Sequence, residues 1–131
     1  MVAYVLYISC TAIYMFLMRV AGIKGGKVAM NYFKSYPASE LPDRMVVAAR
    51  HYDNQFQVPI LFLIGGALHF VIGMVNPLTL VLAWGFVASR ALHAWIHLGS
   101  NHIPSRATFF AIGWTLVTLF WLQLGYFALQ M

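Results

Sequence analysis

The chain has 131 residues, of which 62% are hydrophobic and only 8% are charged. An ordinary soluble domain carries about 25% charged residues, so this composition cannot cover a water-exposed surface. The length allows one domain, and lipid is its expected solvent. The formal charge of +5 is confined to residues 19–53 and to Arg90 and Arg106. This confinement argues against a nucleic-acid surface and indicates a membrane protein with one basic side.

Four segments follow one another along the chain, each containing the roughly 20 mainly apolar residues that a helix needs to cross the hydrocarbon. The first and second are separated by a polar stretch containing Gly25-Gly26, Pro37 and Pro42, and either Ser39 or Asp43 could cap the second helix. The predicted spans are residues 2–20, 44–75, 78–98 and 107–130. We therefore predict an all-α membrane protein in which residues 1–131 form a single four-helix bundle of up-down topology.

The distribution of basic residues predicts the orientation of this bundle. The first loop carries Lys24, Lys27, Lys34 and Arg44 and the third carries Arg106, whereas the Asn76-Pro77 turn carries no charge. By the positive-inside rule, the first and third loops face the cytoplasm and both termini lie on the opposite side. The apolar N-terminus has no basic region of the kind that precedes a cleaved signal peptide, so we predict that the first span is retained.

Polar side chains recur at helical spacing on the second and third predicted spans. Within each span they fall on one face, because residues three, four and seven positions apart share a face of an α-helix. Ionisable groups inside a membrane cost at least a few kcal/mol and usually serve a function. The second span carries Arg50, Asn54 and Gln57, and the third carries Arg90, His93 and His97. Both sets lie toward the cytoplasmic ends of their helices, which predicts a polar cavity at one depth in the bundle.

Two kinds of ligand fit such a cavity. His93, His97 and His102 have a spacing that could bind zinc, but no carboxylate or cysteine on the third span completes the set and arginines flank it. We therefore predict no metal. Arginines suit an anion, because the guanidinium group binds carboxylates through two parallel hydrogen bonds and an arginine near a thiol favours the thiolate. The residues alone predict an anionic ligand near the cytoplasmic interface.

At these positions the sequence resembles the MAPEG family, the membrane-associated proteins of eicosanoid and glutathione metabolism. The family pattern on the second helix is Arg-x3-Asn-x2-Glu before a proline, and the chain has Arg50, Asn54 and Gln57 before Pro59. On the third helix the family pattern is Arg-x2-His/Tyr-x3-Tyr, followed by an arginine at the start of the next span. The matching residues are Arg90, His93, His97 and Arg106.

The resemblance implies a homotrimer in the bilayer, with glutathione bound between neighbouring protomers against the second and third helices. It further implies a bacterial-type member located in the inner membrane. Arg106 would be the catalytic residue that stabilises the glutathione thiolate. The residues implied to bind glutathione are Arg50, Asn54, Gln57, Arg90, His93 and His97.

The expected function is a glutathione-dependent transferase or peroxidase that acts on small lipophilic electrophiles. Two departures from the family pattern leave an alternative open: Gln57 replaces a glutamate, and His97 replaces a tyrosine. The alternative is a non-catalytic structural or accessory subunit of a larger membrane complex. An anion transporter is a weaker third class, because four short spans contain no broken inverted repeat.

Overall fold

The computed structural model describes residues 1–36 and 41–130, and within these ranges the secondary structure is helical, with no strand. Four segments are long and apolar enough to cross a membrane, with mean hydropathies of 1.3 to 1.6. The predicted all-α architecture with four spanning segments is thereby confirmed. The proposed cap at Ser39 and the break at Pro37 lie outside the described residues. The helices are α1 (Val2–Lys24), α2 (Tyr32–Ser35), α3 (Asp43–Asp53), α4 (Val58–Val71), α5 (Pro77–Leu98) and α6 (Ile103–Ala128).

The chain divides into two compact units. The N-terminal unit, Val2–Asp53, contains α1, α2 and α3. The C-terminal unit, Asn54–Met131, contains α4, α5 and α6, and Met1 groups with it.

Within the N-terminal unit, α1 packs against α3. Gly22 of α1 lies directly against the Met45 side chain of α3, because a Cβ at this position would overlap Sδ of Met45 unless that side chain shifted. The hydroxyl of Tyr7 and Nε2 of His51 form a hydrogen bond of 2.9 Å between the same two helices. The packing of α1 on α3 therefore combines a small residue, which permits close approach, with a polar contact that sets the register.

The C-terminal unit is built around the α5–α6 hairpin, on which α4 packs through α6. Its core is aromatic. The ring of Phe62 stacks on that of Phe86 with the centroids 4.5 Å apart, and it is tilted relative to that of Phe120 with the centroids 5.8 Å apart. His69 is buried, donates from Nδ1 to the carbonyl of Gly65 at 2.8 Å and stacks on Phe120. This histidine is thus a packing residue that satisfies one of its ring nitrogens within its own helix.

The turn before α5 connects this helix to α6 through side-chain hydrogen bonds. Asn76 and Thr79 form a reciprocal capping box, in which Asn76 Oδ1 accepts from the Thr79 N–H at 2.9 Å. Gln123 of α6 donates to the same Asn76 oxygen at 3.0 Å. The three side chains therefore tie the start of α5 to the last turns of α6.

The second predicted span, residues 44–75, differs from a continuous α-helix. A 3₁₀ turn at Asn54–Phe56 follows α3, and Gln57 has non-helical angles (φ −100°, ψ −109°) before α4 begins. Pro59 explains the break, because it has no N–H for a helical hydrogen bond and is tolerated only in the first turn of a new helix. At the other end, α4 stops at Val71, and Gly73 adopts a left-handed conformation (φ 70°). The one-face spacing of Asn54 and Gln57 assumed an unbroken helix, and the structure does not provide one.

Candidate functional site

The final turns of α5 carry three buried polar side chains. Arg90, His93 and His97 are exposed by at most 2% of their surface. Their spacing places them on one face of α5, and the rings of His93 and His97 meet edge to face with centroids 5.5 Å apart. A helix that spans a membrane thus buries an arginine and two histidines next to one another.

The start of α6 joins this group through a backbone contact. His93 Nδ1 donates to the carbonyl oxygen of Arg106 at 3.1 Å, since a carbonyl can only accept. This bond fixes the ring orientation and leaves Nε2 as the acceptor nitrogen of the neutral ring. Arg106 itself is half-buried.

Asn101 holds the Arg106 side chain. Nη1 of Arg106 donates to Asn101 Oδ1 at 2.8 Å, and the Asn101 N–H donates to the carbonyl of Ile96 at 2.7 Å. Asn101 has a left-handed backbone (φ 51°), which asparagine adopts more readily than most residues. The turn between α5 and α6 therefore positions the guanidinium group relative to the end of α5.

The guanidinium of Arg90 lies against α6. Its Cζ is 5.9 Å from the ring centroid of Phe110, within the range of a cation–π interaction. Gly113 of α6 lies beside the same part of α5, since a Cβ there would be 3.0 Å from Ser89 Oγ and in ordinary contact, 3.6 Å, with Arg90 Cδ. The buried Arg90 side chain therefore packs against an aromatic ring of the neighbouring helix.

The electrostatic character of the C-terminal unit follows from its composition. No aspartate or glutamate occurs after Asp53, whereas Arg90 and Arg106 both lie in this unit. Burial lowers the local dielectric constant and strengthens the interaction of a guanidinium with an anion. The donors at this site therefore suit a carboxylate or a thiolate.

The remaining predicted site residues are placed differently. Arg50 is exposed near the end of α3 and belongs to the N-terminal unit. In the C-terminal unit, Asn54 is half-buried in the 3₁₀ turn and Gln57 is exposed. The structure brings Arg90, His93, His97 and Arg106 to one end of the α5–α6 hairpin. The grouping of Arg50, Asn54 and Gln57 with them stays a prediction.

The sequence interpretation missed the residues that support this group. Asn101 lies between the third and fourth predicted spans, and Phe110 and Gly113 lie within the fourth, where nothing distinguishes them from other apolar-span residues. An asparagine in a short turn five residues before an arginine was the available signal for Asn101. His102, the third member of the zinc alternative, is exposed at the N-cap of α6 and its Nδ1 bonds to Ser105 Oγ at 2.8 Å.

Comparison with known proteins agrees with these observations. The model of the MAPEG family matches residues 1–126. Neither the curated proteins nor the solved structures contain a match to the chain. The match covers all four candidate spans and the hairpin that carries the buried polar group. The chain therefore belongs to the MAPEG family and is an integral membrane protein of the group associated with glutathione or eicosanoid metabolism.

Proposed function

We propose that this protein is a glutathione-dependent transferase or peroxidase that acts on lipophilic electrophiles dissolved in the membrane. Glutathione is its cosubstrate, and the bilayer supplies the apolar substrate. The single observation that carries the proposal is the buried cationic group on the α5–α6 hairpin, in which Arg90 is 1% exposed and His93 is bonded to the backbone of Arg106. Charge is not retained inside a membrane helix without a partner or a purpose.

The donor set fits most of the glutathione molecule. Glutathione carries two carboxylates, two amides, one thiol and one ammonium group at neutral pH. Arg90 and Arg50 would bind the carboxylates, which match the planar fork of a guanidinium. The side chains of Asn54, His93 and His97 would hydrogen bond to the amides. Gln57 offers an oxygen but no charge to the ammonium group, so that end of the ligand is held less strongly than by a carboxylate.

Arg106 would act on the sulfur. A guanidinium beside the thiol stabilises the thiolate, which is the nucleophile, and the proton leaves to solvent. In a conjugation by substitution, the thiolate donates its electron pair to an electrophilic carbon and a carbon–sulfur bond forms. The leaving group, which is chloride for 1-chloro-2,4-dinitrobenzene, departs to solvent with the electrons of the bond that breaks. Asn101 engages one Arg106 nitrogen, and a guanidinium has five N–H donors, so the group can hold Asn101 and sulfur together.

Calorimetry in mild detergent tests this function directly. We expect the wild-type protein to bind glutathione and to conjugate it to a hydrophobic electrophile such as 1-chloro-2,4-dinitrobenzene. Gln57→Glu restores a carboxylate beside the ammonium group and should tighten binding. If the wild type shows no affinity at millimolar glutathione and Gln57→Glu creates none, the enzyme proposal is lost.

We further propose that the protein assembles as a homotrimer. Arg50 and Gln57 are exposed on a segment that is long enough to span the membrane, where a polar group facing lipid is costly. Cover by a neighbouring copy removes that cost. Native mass spectrometry in mild detergent should give a trimer, and a spectrum containing only monomer would contradict a site shared between copies.

We also propose that both termini are non-cytoplasmic in a bacterial inner membrane. The basic first loop supports this orientation. Reporter fusions at Asn76 and at the C-terminus should both report the non-cytoplasmic side, and a cytoplasmic C-terminus would reverse the assignment.

The second candidate is an accessory or structural subunit of a larger membrane complex. Two observations favour it: Gln57 stands where the family pattern has a glutamate, and the Arg106 guanidinium already has a protein partner in Asn101. In this candidate no ligand binds and Arg90 has a structural role. Arg90→Ala should then lower expression or assembly and leave no ligand affinity to change. Co-purification with a stable membrane partner, without glutathione affinity, would favour it.

A further inference from the structure

The N-terminal unit contains a cavity that is separate from the predicted glutathione-binding residues. It has a volume of about 420 Å³ and is lined by the last turns of α1, the loop that follows and the first turn of α3. None of the predicted glutathione-binding residues lines it. An inference drawn from it does not rest on the proposed enzymatic function.

The walls of this cavity combine two kinds of side chain. Met18, Ala21 and Met45 provide an apolar part, and Lys27 and Arg44 provide cationic groups. Both cationic residues are exposed, so their charged ends are free to reach a ligand from the water side. The cavity therefore suits a ligand that has both an apolar part and an anionic part. A soluble inorganic anion would use only the cationic wall.

The cavity lies at the ends of two candidate membrane spans, because α1 ends at Lys24 and α3 begins at Asp43. The ends of membrane-spanning helices are where lipid headgroups are expected. The first turn of α3 adds the partial positive charge of a helix N-terminus to the same place. The lining contains two cationic residues, Lys27 and Arg44, and one acidic residue, Asp43, so its net charge is +1.

We propose that this cavity binds the headgroup of an anionic phospholipid. Lys27 and Arg44 contact the phosphate, and Met18 and Met45 contact the glycerol backbone and the first methylene groups of the acyl chains. Asp43 accepts a hydrogen bond from a headgroup hydroxyl, which favours a polyol headgroup such as that of phosphatidylglycerol over a bare phosphate. The bound lipid thereby fills the space between the end of α1 and the start of α3.

The test compares lipid binding to three variants of the full chain by native mass spectrometry. The protein is mixed in detergent with equal mole fractions of phosphatidylglycerol and phosphatidylcholine that have identical acyl chains. We expect the wild type to retain phosphatidylglycerol preferentially. A charge-assisted hydrogen bond to a phosphate contributes at least about tenfold to affinity, and it requires direct contact. The double variant Lys27→Gln/Arg44→Gln removes both proposed contacts and should therefore lose at least about tenfold of this preference.

A matched control separates a site from general surface charge. Lys24→Gln/Lys34→Gln removes the same charge from the same loop, and neither residue lines the cavity. We expect it to retain most of the preference. Equal losses in the two double variants would overturn the proposal, because they would indicate only non-specific attraction to the membrane surface.

A third variant tests the cavity without changing charge. Ala21→Phe fills space next to Met18 and leaves every basic residue in place, so we expect it to release phosphatidylglycerol. A thermal unfolding midpoint within a few degrees of the wild type verifies the fold. Unchanged lipid binding by a folded Ala21→Phe variant would overturn the proposal, as would displacement of the lipid by millimolar inorganic phosphate.

Discussion

Helices α1 and α5 are nearly equal in length but differ in what they bury. In α1 only Tyr4, Thr11 and Gly22 are buried, and its mean hydropathy is 1.6. In α5, which has a mean hydropathy of 1.3, seven residues are buried. The less apolar helix is the more buried one. This order is the reverse of that in a water-soluble protein, because in a bilayer the apolar surface is already in a favourable solvent.

Helices α1 and α5 differ in the kind of side chain that they bury against other protein segments. Apolar side chains of α1 can face lipid at no cost, so burial against protein is reserved for groups that lipid cannot accommodate. In α5 these groups include Ser89, Arg90, His93 and His97. Polarity therefore contributes to which side chains each helix buries, and substitutions on the two helices should differ accordingly.

The largest effect on glutathione affinity is expected when Arg90, the charged residue buried in α5, is replaced. Arg90→Ala should weaken glutathione binding by about 2–5 kcal/mol, because truncation leaves a ligand carboxylate without its buried partner. Calorimetry in detergent measures this change. Arg19→Ala is a matched control, since the Arg19 guanidinium also lies over a ring, 5.4 Å from the centroid of Phe33. Loss of affinity in both variants would show that the effect is not specific to α5.

A somewhat smaller effect, on turnover rather than binding, is expected at the start of α6. Arg106→Ala should lower kcat by about 100-fold, as is typical when a donor that stabilises developing charge is removed, and should leave the Kd for glutathione nearly unchanged. Asn101→Gly keeps the left-handed backbone at this position but releases the Arg106 side chain, so kcat should fall by a smaller factor. Thr108→Ala, exposed on the same helix, serves as the control. A rise in Kd without a fall in kcat would assign Arg106 to binding.

The hydrogen bond between Asn76 and Gln123 joins α5 to α6 at the end of α5 opposite to the candidate site. Its loss should affect the stability of the protein only. Gln123→Ala removes a hydrogen bond to Asn76, and such interhelical bonds in membranes contribute about 0.6–1.7 kcal/mol. Unfolding in a denaturing detergent should detect this loss, with glutathione affinity unchanged. Thr118→Ala is the matched control, because its hydroxyl bonds only to the Trp114 carbonyl within α6. Equal stabilities of the two variants would mean that the Asn76 contact contributes nothing.

The smallest effect is expected on the exposed side of α1. Leu6 is 61% exposed, so Leu6→Ala should change the free energy of unfolding by less than about 0.5 kcal/mol. Leu82 of α5 is 7% exposed, and its replacement by alanine should cost about 2–5 kcal/mol. The same unfolding assay measures both. A large loss for Leu6→Ala would mean that a second copy, not lipid, covers this side of α1.

The sequence by itself determined the class of fold and identified the polar residues that are candidates for a functional site. Backbone groups in a bilayer must be satisfied within each segment, so an apolar stretch of about 20 residues in a chain of this kind is a helix whatever its neighbours are. The spacing of Arg90, His93 and His97 placed them on one face of α5, because helical periodicity is a local property. The charge pattern predicts a basic side in the same way, from the sequence alone.

Only the tertiary structure decided how these elements are used. The hydrogen bond from His93 to the Arg106 carbonyl depends on the path of the turn between α5 and α6. The cavity at the end of α1 is lined by residues of α1, of the following segment and of α3, among them Gly22 and Met45, which are in direct contact. These features join residues that are distant in sequence through geometry that no local pattern encodes, since contacts between helices depend on turn angles and on side-chain volumes in both partners.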